Sequence, residues 1–302
     1  MGSPEFALPS LERLAASYEV IGVVTQPDRP AGRGRELAPP PVKRSALKYG
    51  IPVIQPERLK EPAAMGQLQD WAPDVIVVAA FGQILRQSVL ELPPHGCINV
   101  HASLLPRWRG AAPVQAAILS GDPVSGVSIM RMDAGIDTGP VLSQRALPIL
   151  SEETGGSLAQ RLGELGAGLL DEVLPDYLRG LIIPQPQDET GATYAPMLKK
   201  EDGKLDFSQE ASSLVRRVRA FNPWPGAFTT WEGQILKIHR ARAVNEEGGE
   251  PASTIVYFNR PAVVSGNGLL ILDEVQPAGK RPMEGDVFLR GARAWGSHSV
   301  GS

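Results

Sequence analysis

The stretch Cys97-Ile98-Asn99-Val100-His101 decides the fold, and it continues without interruption into Ala102-Ser103-Leu104-Leu105-Pro106-Arg107-Trp108-Arg109-Gly110. Side chains alternate faces along a β-strand, so Ile98 and Val100 point into a core while Asn99 and His101 share the opposite face. The loop that follows is rich in turn formers and cations, as is typical of the carboxyl end of a strand, where open α/β sheets bind ligands. We therefore expect chemistry at this edge of the sheet.

The side chains of Asn99 and His101 suit one kind of chemistry. A carboxamide donates hydrogen bonds without charge and an imidazole donates, accepts or carries charge near neutral pH, which fits a carbonyl oxygen that takes up negative charge. A lone histidine is more often structural, and the shared face and the following loop reverse that balance. Asp137 lies in a second loop, between Gly135 and Gly139. It is either a turn former or a proton acceptor, and the same two interpretations apply to Asp133 in the same loop.

Apolar strands alternate with helices through the first part of the chain, which predicts a parallel sheet. The predicted strands lie at 20–24, 52–54, 75–78, 97–101 and 127–131. We expect an α/β fold with a doubly wound, mostly parallel, Rossmann-like sheet. Met1-Gly2-Ser3-Pro4 reads as a turn into a helix, which in such a fold follows a buried strand. The first strand of the sheet is therefore expected to be missing.

After residue 182 the pattern changes. Prolines at 184 and 186 indicate a linker over residues 183–199, and short strands with one helix follow from 200 to 302. Such spacing predicts a small OB-like β-barrel domain. The expected organisation is thus a catalytic domain over 1–182, the linker, and a C-terminal domain over 200–302.

Composition narrows the class of protein. The chain has 302 residues, a net charge of −3 and one cysteine, so it forms no internal disulfide and suits a reducing cytoplasm. No stretch reaches the length of an apolar membrane helix. The four histidines have no ligand spacing and no carboxylate cluster beside them, so no metal is expected. Cys97, on a buried strand, is expected to fill the core.

A basic loop is expected over residues 26–48, because prolines and glycines up to Pro41 disfavour regular structure. Its cations are Arg29, Arg33, Arg35, Lys43, Arg44 and Lys48, against Asp28 and Glu36. Charge runs are usually solvated surface, but arginine mixed with glycine also suits an arm that grips phosphates. The residues alone leave both interpretations open.

Together these stretches resemble the bacterial methionyl-tRNA formyltransferases, a family of the folate-dependent formyltransferase superfamily. The resemblance runs in the same order along nearly the whole chain, and Asn99-x-His101 followed by Asp137 is its most specific part. The matching stretches are residues 2–7, 25–34, 99–113, 132–139 and 221–225.

The resemblance implies transfer of a formyl group from 10-formyltetrahydrofolate to the amino group of methionine on initiator tRNA. Asn99, His101 and Asp137 fall on the catalytic positions: two stabilise the oxyanion, and Asp137 orients His101 and moves protons. The folate co-substrate would contact two segments, whose residues are Ser103, Leu104, Leu105, Pro106, Phe81, Gly82, Ile84 and Leu85. No metal is implied.

The same resemblance places the tRNA contacts on the basic loop, with Arg33 near the tRNA end. The implied contacts are Arg33, Arg35, Lys43 and Arg29, with the OB-like domain as a second tRNA-binding element. The expected partners are initiator methionyl-tRNA and folate, with no membrane, and the protein is expected to be a monomer. Two rivals remain: a folate-dependent formyltransferase acting on a nucleotide or amino-sugar, and a catalytically impaired tRNA-binding protein.

Overall fold

The computed structural model describes residues 1–31, 36–246 and 248–301. Two compact units account for the chain. The first comprises Met1–Pro113, Val124–Pro148 and Ala159–Pro196, and the second comprises Val114–Pro123, Ile149–Leu158 and Met197–Ser302. This division differs from the predicted boundaries, because residues 183–196 belong to the first unit.

Up to residue 196, the described residues contain six α-helices interleaved with ten strands. The helices are α1 Leu8–Ser17, α2 Pro41–Lys48, α3 Pro62–Trp71, α4 Gln87–Leu90, α5 Pro113–Ser120 and α6 Gly155–Leu178. The strands are β1 Val23–Val24, β2 Arg29–Ala31, β3 Glu36–Ala38, β4 Val53–Ile54, β5 Ile76–Val78, β6 Cys97–His101, β7 Arg109–Gly110, β8 Val124–Arg131, β9 Val141–Pro148 and β10 Tyr194–Ala195.

The sheet that carries β6 is mixed, and the prediction of a mostly parallel sheet is wrong for this half. Its order is β5-β6-β8-β9, in which β5 and β6 are parallel while β6–β8 and β8–β9 are antiparallel. The chain leaves α5 through Gly121, which has a φ of 71°. Alternation of helices and strands favours parallel neighbours but does not fix the direction of each strand, and β8, which follows α5, pairs antiparallel to β6.

The amino-terminal residues lie between β1 and β5. Gly2 donates its N–H to Val24 O at 3.1 Å, and Ala79 donates to Met1 O at 2.9 Å. A cavity of about 310 Å³ adjoins this bridge, lined by residues of α1, β1, β5 and α6. Apolar burial lowers the pKa of the Met1 amino group to about 6.

Strand β6 is buried along its whole length, which fixes the site beside it. All five residues from Cys97 to His101 are buried, with Ile98 at 0% exposure. Burial on both faces is the expected environment of a central strand with helices on either side. The side chains of Asn99 and His101 are therefore held by packing rather than by a mobile loop.

Part of the predicted basic loop has regular structure. β2 and β3 pair antiparallel, with Arg29 opposite Ala38 and Ala31 opposite Glu36. α2 then begins at Pro41, because proline fits the first turn of a helix, where its missing N–H is not needed. The expectation that prolines prevent regular structure here was wrong for these elements.

The second unit contains one antiparallel sheet and two further helices. These elements are α7 Ala211–Ala220, β11 Ala227–Trp231, β12 Gln234–Val244, β13 Thr254–Tyr257, β14 Arg260–Val264, β15 Leu269–Pro277, β16 Met283–Glu284 and α8 Gly285–Gly291. The sheet order is β11-β12-β15-β14-β13, with β16 on β15. Within the described residues β11 does not pair with β13, so the structure has no closed barrel. The Gly301 N–H donates a hydrogen bond to Thr230 O of β11, and the Val300 N–H donates one to Ala252 O, which lies just before β13.

None of the helices in the described residues is both long enough and apolar enough to cross a bilayer.

Candidate active site

Asn99 and His101 lie at the carboxyl end of β6, as predicted, and are almost completely buried. Their exposed fractions are 8% and 5%. In the sheet Asn99 stands opposite Val78 of β5 and Met130 of β8, and His101 stands opposite Ser128 of β8. Because they are two residues apart on one strand, both side chains project to the same face.

The structure brings Asp137 to this pair, from a loop 38 residues further along the chain. Asn99 Nδ2 donates to Asp137 Oδ1 at 3.1 Å, and the Gly110 N–H donates to Asp137 Oδ2 at 2.8 Å. His101 Nδ1 lies 3.6 Å from the same Oδ2. One carboxylate thus faces the amide, the imidazole and a backbone N–H.

The other ring nitrogen of His101 fixes where its hydrogen lies. Nε2 is 2.9 Å from the carbonyl oxygen of Trp108, which can only accept, so Nε2 carries the hydrogen and donates it. In a neutral ring the lone pair of Nδ1 then points toward Asp137. A proton arriving between Nδ1 and the carboxylate would satisfy both atoms, so the pair is arranged to take up one proton.

Backbone geometry explains why this loop holds its shape. Asp137 has a φ of 53°, in the left-handed region that aspartate tolerates better than most residues. At Gly139 an added Cβ would lie 1.9 Å from Arg131 O, and at Gly110 it would lie 2.6 Å from Ala195 O. Only glycine permits these two approaches, which hold the loop against β8 and Gly110 against β10.

Asp133 lies in the same loop but makes a turn instead of joining the site. Its Oδ1 accepts from Gly135 N at 3.0 Å and from Thr138 Oγ1 at 2.8 Å. This is the local bonding of an Asx turn on an exposed surface. The structure therefore separates the two aspartates that the sequence left with equal local arguments.

A segment expected to be linker is part of the site. β10 pairs in parallel with β7, and Trp108 N donates to Thr193 Oγ1 at 2.8 Å. Gln187 lies in the same segment and its Nε2 donates to Asp137 O and Gly139 O, at 2.8 and 2.7 Å. Sequence reasoning missed Gln187, since a polar residue just after Pro186 carries no signal of long-range contact.

Arg109 connects this segment to the loop after β6. Its side chain is fully buried, with Nη1 and Nη2 donating to the two carboxylate oxygens of Glu189 at 2.9 and 2.7 Å. These hydrogen bonds raise the pKa of the Arg109 guanidinium and lower that of the Glu189 carboxyl. Sequence reasoning also missed Arg109, and the signal that could have found it is its place next to Gly110 in the cationic loop.

The residues predicted to contact folate differ in exposure. Phe81, Leu85, Ser103 and Leu105 are buried, whereas Leu104 and Pro106 are half-buried. Gly82 is exposed, and Ile84 is 82% exposed. Because β5 and β6 are parallel neighbours, the segment after β5 and the end of β6 meet at the same edge of the sheet.

A cationic cavity of about 340 Å³ adjoins that segment. Its lining includes Ile84 and Gln83, whose Oε1 accepts from Leu59 N at 2.8 Å. The charged residues of the lining are Arg58, Lys60 and Arg86, and no carboxylate lines it. In a chain of net charge −3 this is a local excess of positive charge, suited to an anionic ligand.

The predicted tRNA contacts are only partly described. Arg33 and Arg35 lie outside the described residues. Arg29 is exposed and lies 3.5 Å from Glu57. Lys43 Nζ is bound to Asp28 at 2.8 Å and is 23% exposed, so this cation holds the base of the β2–β3 hairpin.

Two further expectations concern the single cysteine and metal binding. Cys97 is buried and burial raises the pKa of its thiol to about 12, which agrees with a core role. In the described part of the chain, no group of three or more His, Cys, Asp or Glu side chains is arranged to hold a metal.

Comparison with known proteins gives the family. Residues 7–174 match the formyl transferase family, and residues 197–293 match the formyl transferase C-terminal domain. A methionyl-tRNA formyltransferase of Roseiflexus sp. (strain RS-1) is 50% identical over all of this chain and 94% of its own length. Another, from Myxococcus xanthus (strain DK1622), is 50% identical over 96% of this chain and 93% of its own. The chain belongs to the methionyl-tRNA formyltransferase family.

This membership confirms the resemblance inferred from the sequence motifs. Solved structures show the fold more widely: an N-formyltransferase from Helicobacter canadensis, solved with folinic acid and dTDP-3-aminofucose, has a TM-score of 0.65. It is 18% identical, over 91% of this chain and 97% of its own. At that identity the likeness supports the formyltransferase fold and nothing about the acceptor.

Proposed function

We propose that this protein transfers the formyl group of 10-formyltetrahydrofolate to the amino group of methionine on initiator tRNA. The observation that carries the proposal is the convergence of Asn99, His101 and Asp137 at one edge of a sheet. It occurs in a chain whose relatives, about 50% identical over nearly its full length, are methionyl-tRNA formyltransferases. The folate supplies an activated formyl carbon, and the steps below are those of the chain's own side chains.

Asn99 is proposed to hold the oxygen of the reacting carbonyl. Its Nδ2 has two hydrogens, and the structure gives one of them to Asp137. The second is available to an oxygen that gains negative charge when an amine attacks the adjacent carbon. A pre-oriented donor in a buried position costs little reorganisation, which is the basis of oxyanion stabilisation.

His101 and Asp137 are proposed to manage the proton that the attacking amine loses. The acceptor is the Nδ1–Asp137 pair, because Nε2 is already committed to Trp108 O. Nδ1 carrying that proton becomes a second donor beside the same oxygen, and Asp137 stabilises the charged ring. The pair then gives the proton to the folate nitrogen as the bond between that nitrogen and the formyl carbon breaks, which returns His101 and Asp137 to their starting state. Amine attack and departure of the folate nitrogen therefore balance without a covalent enzyme intermediate.

The folate is proposed to lie along residues 79–85 and 103–106. The fit rests on the character of this edge: apolar side chains at Phe81 and Leu85, and a cationic cavity beyond Ile84. A folate has a flat ring system at one end and carboxylates at the other. We propose that Arg58, Lys60 and Arg86 receive the carboxylate end.

The tRNA is proposed to contact the basic loop over residues 26–48 through Arg29, Arg33 and Arg35, and to contact the second unit. Lys43 supports the hairpin through Asp28 and is proposed to act on tRNA indirectly. The catalytic domain over 1–182 and the OB-like tRNA-binding domain over 200–302 belong to the same proposal. Support for the OB-like description is the antiparallel sheet of order β11-β12-β15-β14-β13, in which Gly301 hydrogen-bonds to edge strand β11 and Val300 hydrogen-bonds just before edge strand β13.

We also propose that the protein acts as a monomer in the cytoplasm. All three proposed catalytic side chains come from one unit of one chain, so no second copy is needed to complete the site. One cysteine, buried in the core, suits a reducing compartment.

The test is formylation by the purified protein with 10-formyltetrahydrofolate as donor. The acceptors are initiator methionyl-tRNA, the same tRNA uncharged, elongator methionyl-tRNA and a nucleotide-linked amino-sugar. We expect formylmethionine on the charged initiator tRNA alone at low enzyme concentration. Formylation of the amino-sugar in its place would support the rival acceptor, and tRNA binding without turnover would support the impaired-enzyme alternative.

A further inference from the structure

Gln187 contacts the backbone of the loop that carries Asp137. A primary amide has two N–H donors, and Gln187 Nε2 gives one to Asp137 O and one to Gly139 O. These two carbonyls belong to Asp137, whose φ is 53°, and to Gly139, which packs closely against Arg131 O. The amide therefore spans the part of the loop that sets the direction of the Asp137 carboxylate.

The orientation of this amide is set by Arg109. Gln187 Oε1 accepts from Arg109 Nε at 3.1 Å and from Nη2 at 2.9 Å. Reversing the amide would place its NH₂ against a guanidinium, which only donates, and its oxygen against two carbonyls. Glu189 accepts two further hydrogen bonds from the guanidinium, as described above. Each group in this chain of contacts thus has one workable arrangement.

The same strand segment also reaches the Asp137 side chain. Arg109 is followed by Gly110, whose N–H donates to Asp137 Oδ2. Pairing with residues 193–195 holds this segment, through Arg109 N to Thr193 O at 2.8 Å and Ala111 N to Ala195 O at 2.9 Å. Asp137 is consequently fixed twice, at its carboxylate by Gly110 and at its backbone by Gln187.

We propose that Gln187 is a positioning residue for Asp137 and that Arg109 positions Gln187. This inference rests on the proposed function, in which Asp137 handles the proton. Residues 187–195 then act as a strap on the catalytic loop, and the distance between His101 Nδ1 and Asp137 is set from 50 residues further along the chain. A misplacement of about 1 Å at reacting groups can cost roughly a hundredfold in rate, so such a strap affects turnover directly.

The test uses Gln187→Ala, which removes the clamp, and Gln187→Glu, which keeps an oxygen toward Arg109 but puts a second oxygen against the two carbonyls. Gln185→Ala is the matched control, because the Gln185 side chain is exposed and bonds only Ile183 O among the described contacts. We expect kcat to fall about tenfold or more in both Gln187 variants, with KM for folate and tRNA within about twofold. The pH dependence of kcat should also change its midpoint, and Gln185→Ala should match wild type.

A double-mutant cycle with Asp137→Asn separates positioning from general loss of structure. Gln187→Ala should lower kcat about tenfold in the wild-type background and less than about twofold beside Asp137→Asn, because the clamp has then lost the group it positions. Equal fold-losses in both backgrounds would overturn the proposal. If Asp137→Asn itself retained near-normal turnover, the catalytic assignment under the proposed function would fail instead.

Amide hydrogen exchange gives a readout that does not depend on activity. In Gln187→Ala, exchange over residues 132–140 should rise about tenfold, while β5 and β6 remain as protected as in wild type. Unchanged exchange in this loop would show that Gln187 does not hold it, whatever the kinetic result.

Discussion

Asp137 Oδ2 lies 3.6 Å from His101 Nδ1, just beyond direct hydrogen-bond distance. No hydrogen bond joins the two atoms at this distance, and one added proton on Nδ1 with a small shift of the carboxylate would form it. With Nε2 bound to Trp108 O, Nδ1 is the nitrogen that faces this carboxylate. The site is therefore set up around a single proton position.

Replacement of His101 or Asn99 by alanine should lower kcat by about a hundredfold or more, because each removes one donor to the developing oxyanion. Binding of folate and tRNA should change little, since neither side chain is a large part of either surface. His298→Ala is the control, as this exposed histidine lies in the second unit. Steady-state kinetics with separate binding titrations checks this, and near-normal kcat in both site variants would remove the catalytic assignment.

The two aspartates of the loop should respond differently to the same change. Asp137→Asn keeps the shape but removes the negative charge that stabilises a protonated His101, so kcat should fall severely. Asp133→Asn keeps an amide oxygen for Gly135 N and Thr138 Oγ1 and should be mild. Turnover is compared at matched thermal stability; a larger loss at Asp133 would reverse the assignment.

How much of this was predictable from sequence depends on the range of the contacts. β6 and its Asn99/His101 face follow from local alternation, and the loop of Asp137 follows from its flanking glycines. The antiparallel direction of β8 does not follow, because apolar periodicity is the same in both directions. Gln187 acts across 50 residues from a proline-rich segment, and no local pattern reports such a contact.

The ion pair of Arg109 and Glu189 should make stability depend on acid. The hydrogen bonds from Arg109 lower the pKa of Glu189 in the folded state, so the unfolded chain binds more protons as pH falls below about 4.3. This contribution is therefore fully present above that pH and is lost as pH falls through the folded pKa. The Tm of wild type and Glu189→Gln, measured from pH 7 to pH 3, should differ at neutral pH and converge in acid; a constant difference would contradict the linkage.

The cationic cavity should affect folate use and leave the chemical step intact. Arg86→Ala removes one of three positive charges from the lining of this cavity. KM for the folate should therefore rise several-fold, which corresponds to about 1 kcal/mol of binding free energy, while kcat stays near wild type. Arg86→Lys keeps the charge and serves as the matched control. Added salt should reduce the difference between the two variants, and an unchanged KM in Arg86→Ala would place the carboxylates of folate elsewhere.

The basic loop over residues 26–48 is either solvated surface or a nucleic-acid contact, and the salt dependence of tRNA affinity distinguishes the two. Cations that displace counterions from phosphates make affinity fall with salt, and each lost contact should flatten the dependence by about one unit of log–log slope. Arg33→Ala should therefore weaken use of methionyl-tRNA and reduce that slope, while folate binding and slow transfer to a small amine survive. Arg13→Ala is the control with the same change of charge, because Arg13 lies 3.7 Å from Asp171 on the surface of the first unit. Formylation is measured against salt for the three proteins, beside folate titrations. If Arg33→Ala and Arg13→Ala both follow the wild-type curve, the cations of the basic loop are solvated surface and the acceptor end of the tRNA is held by other residues.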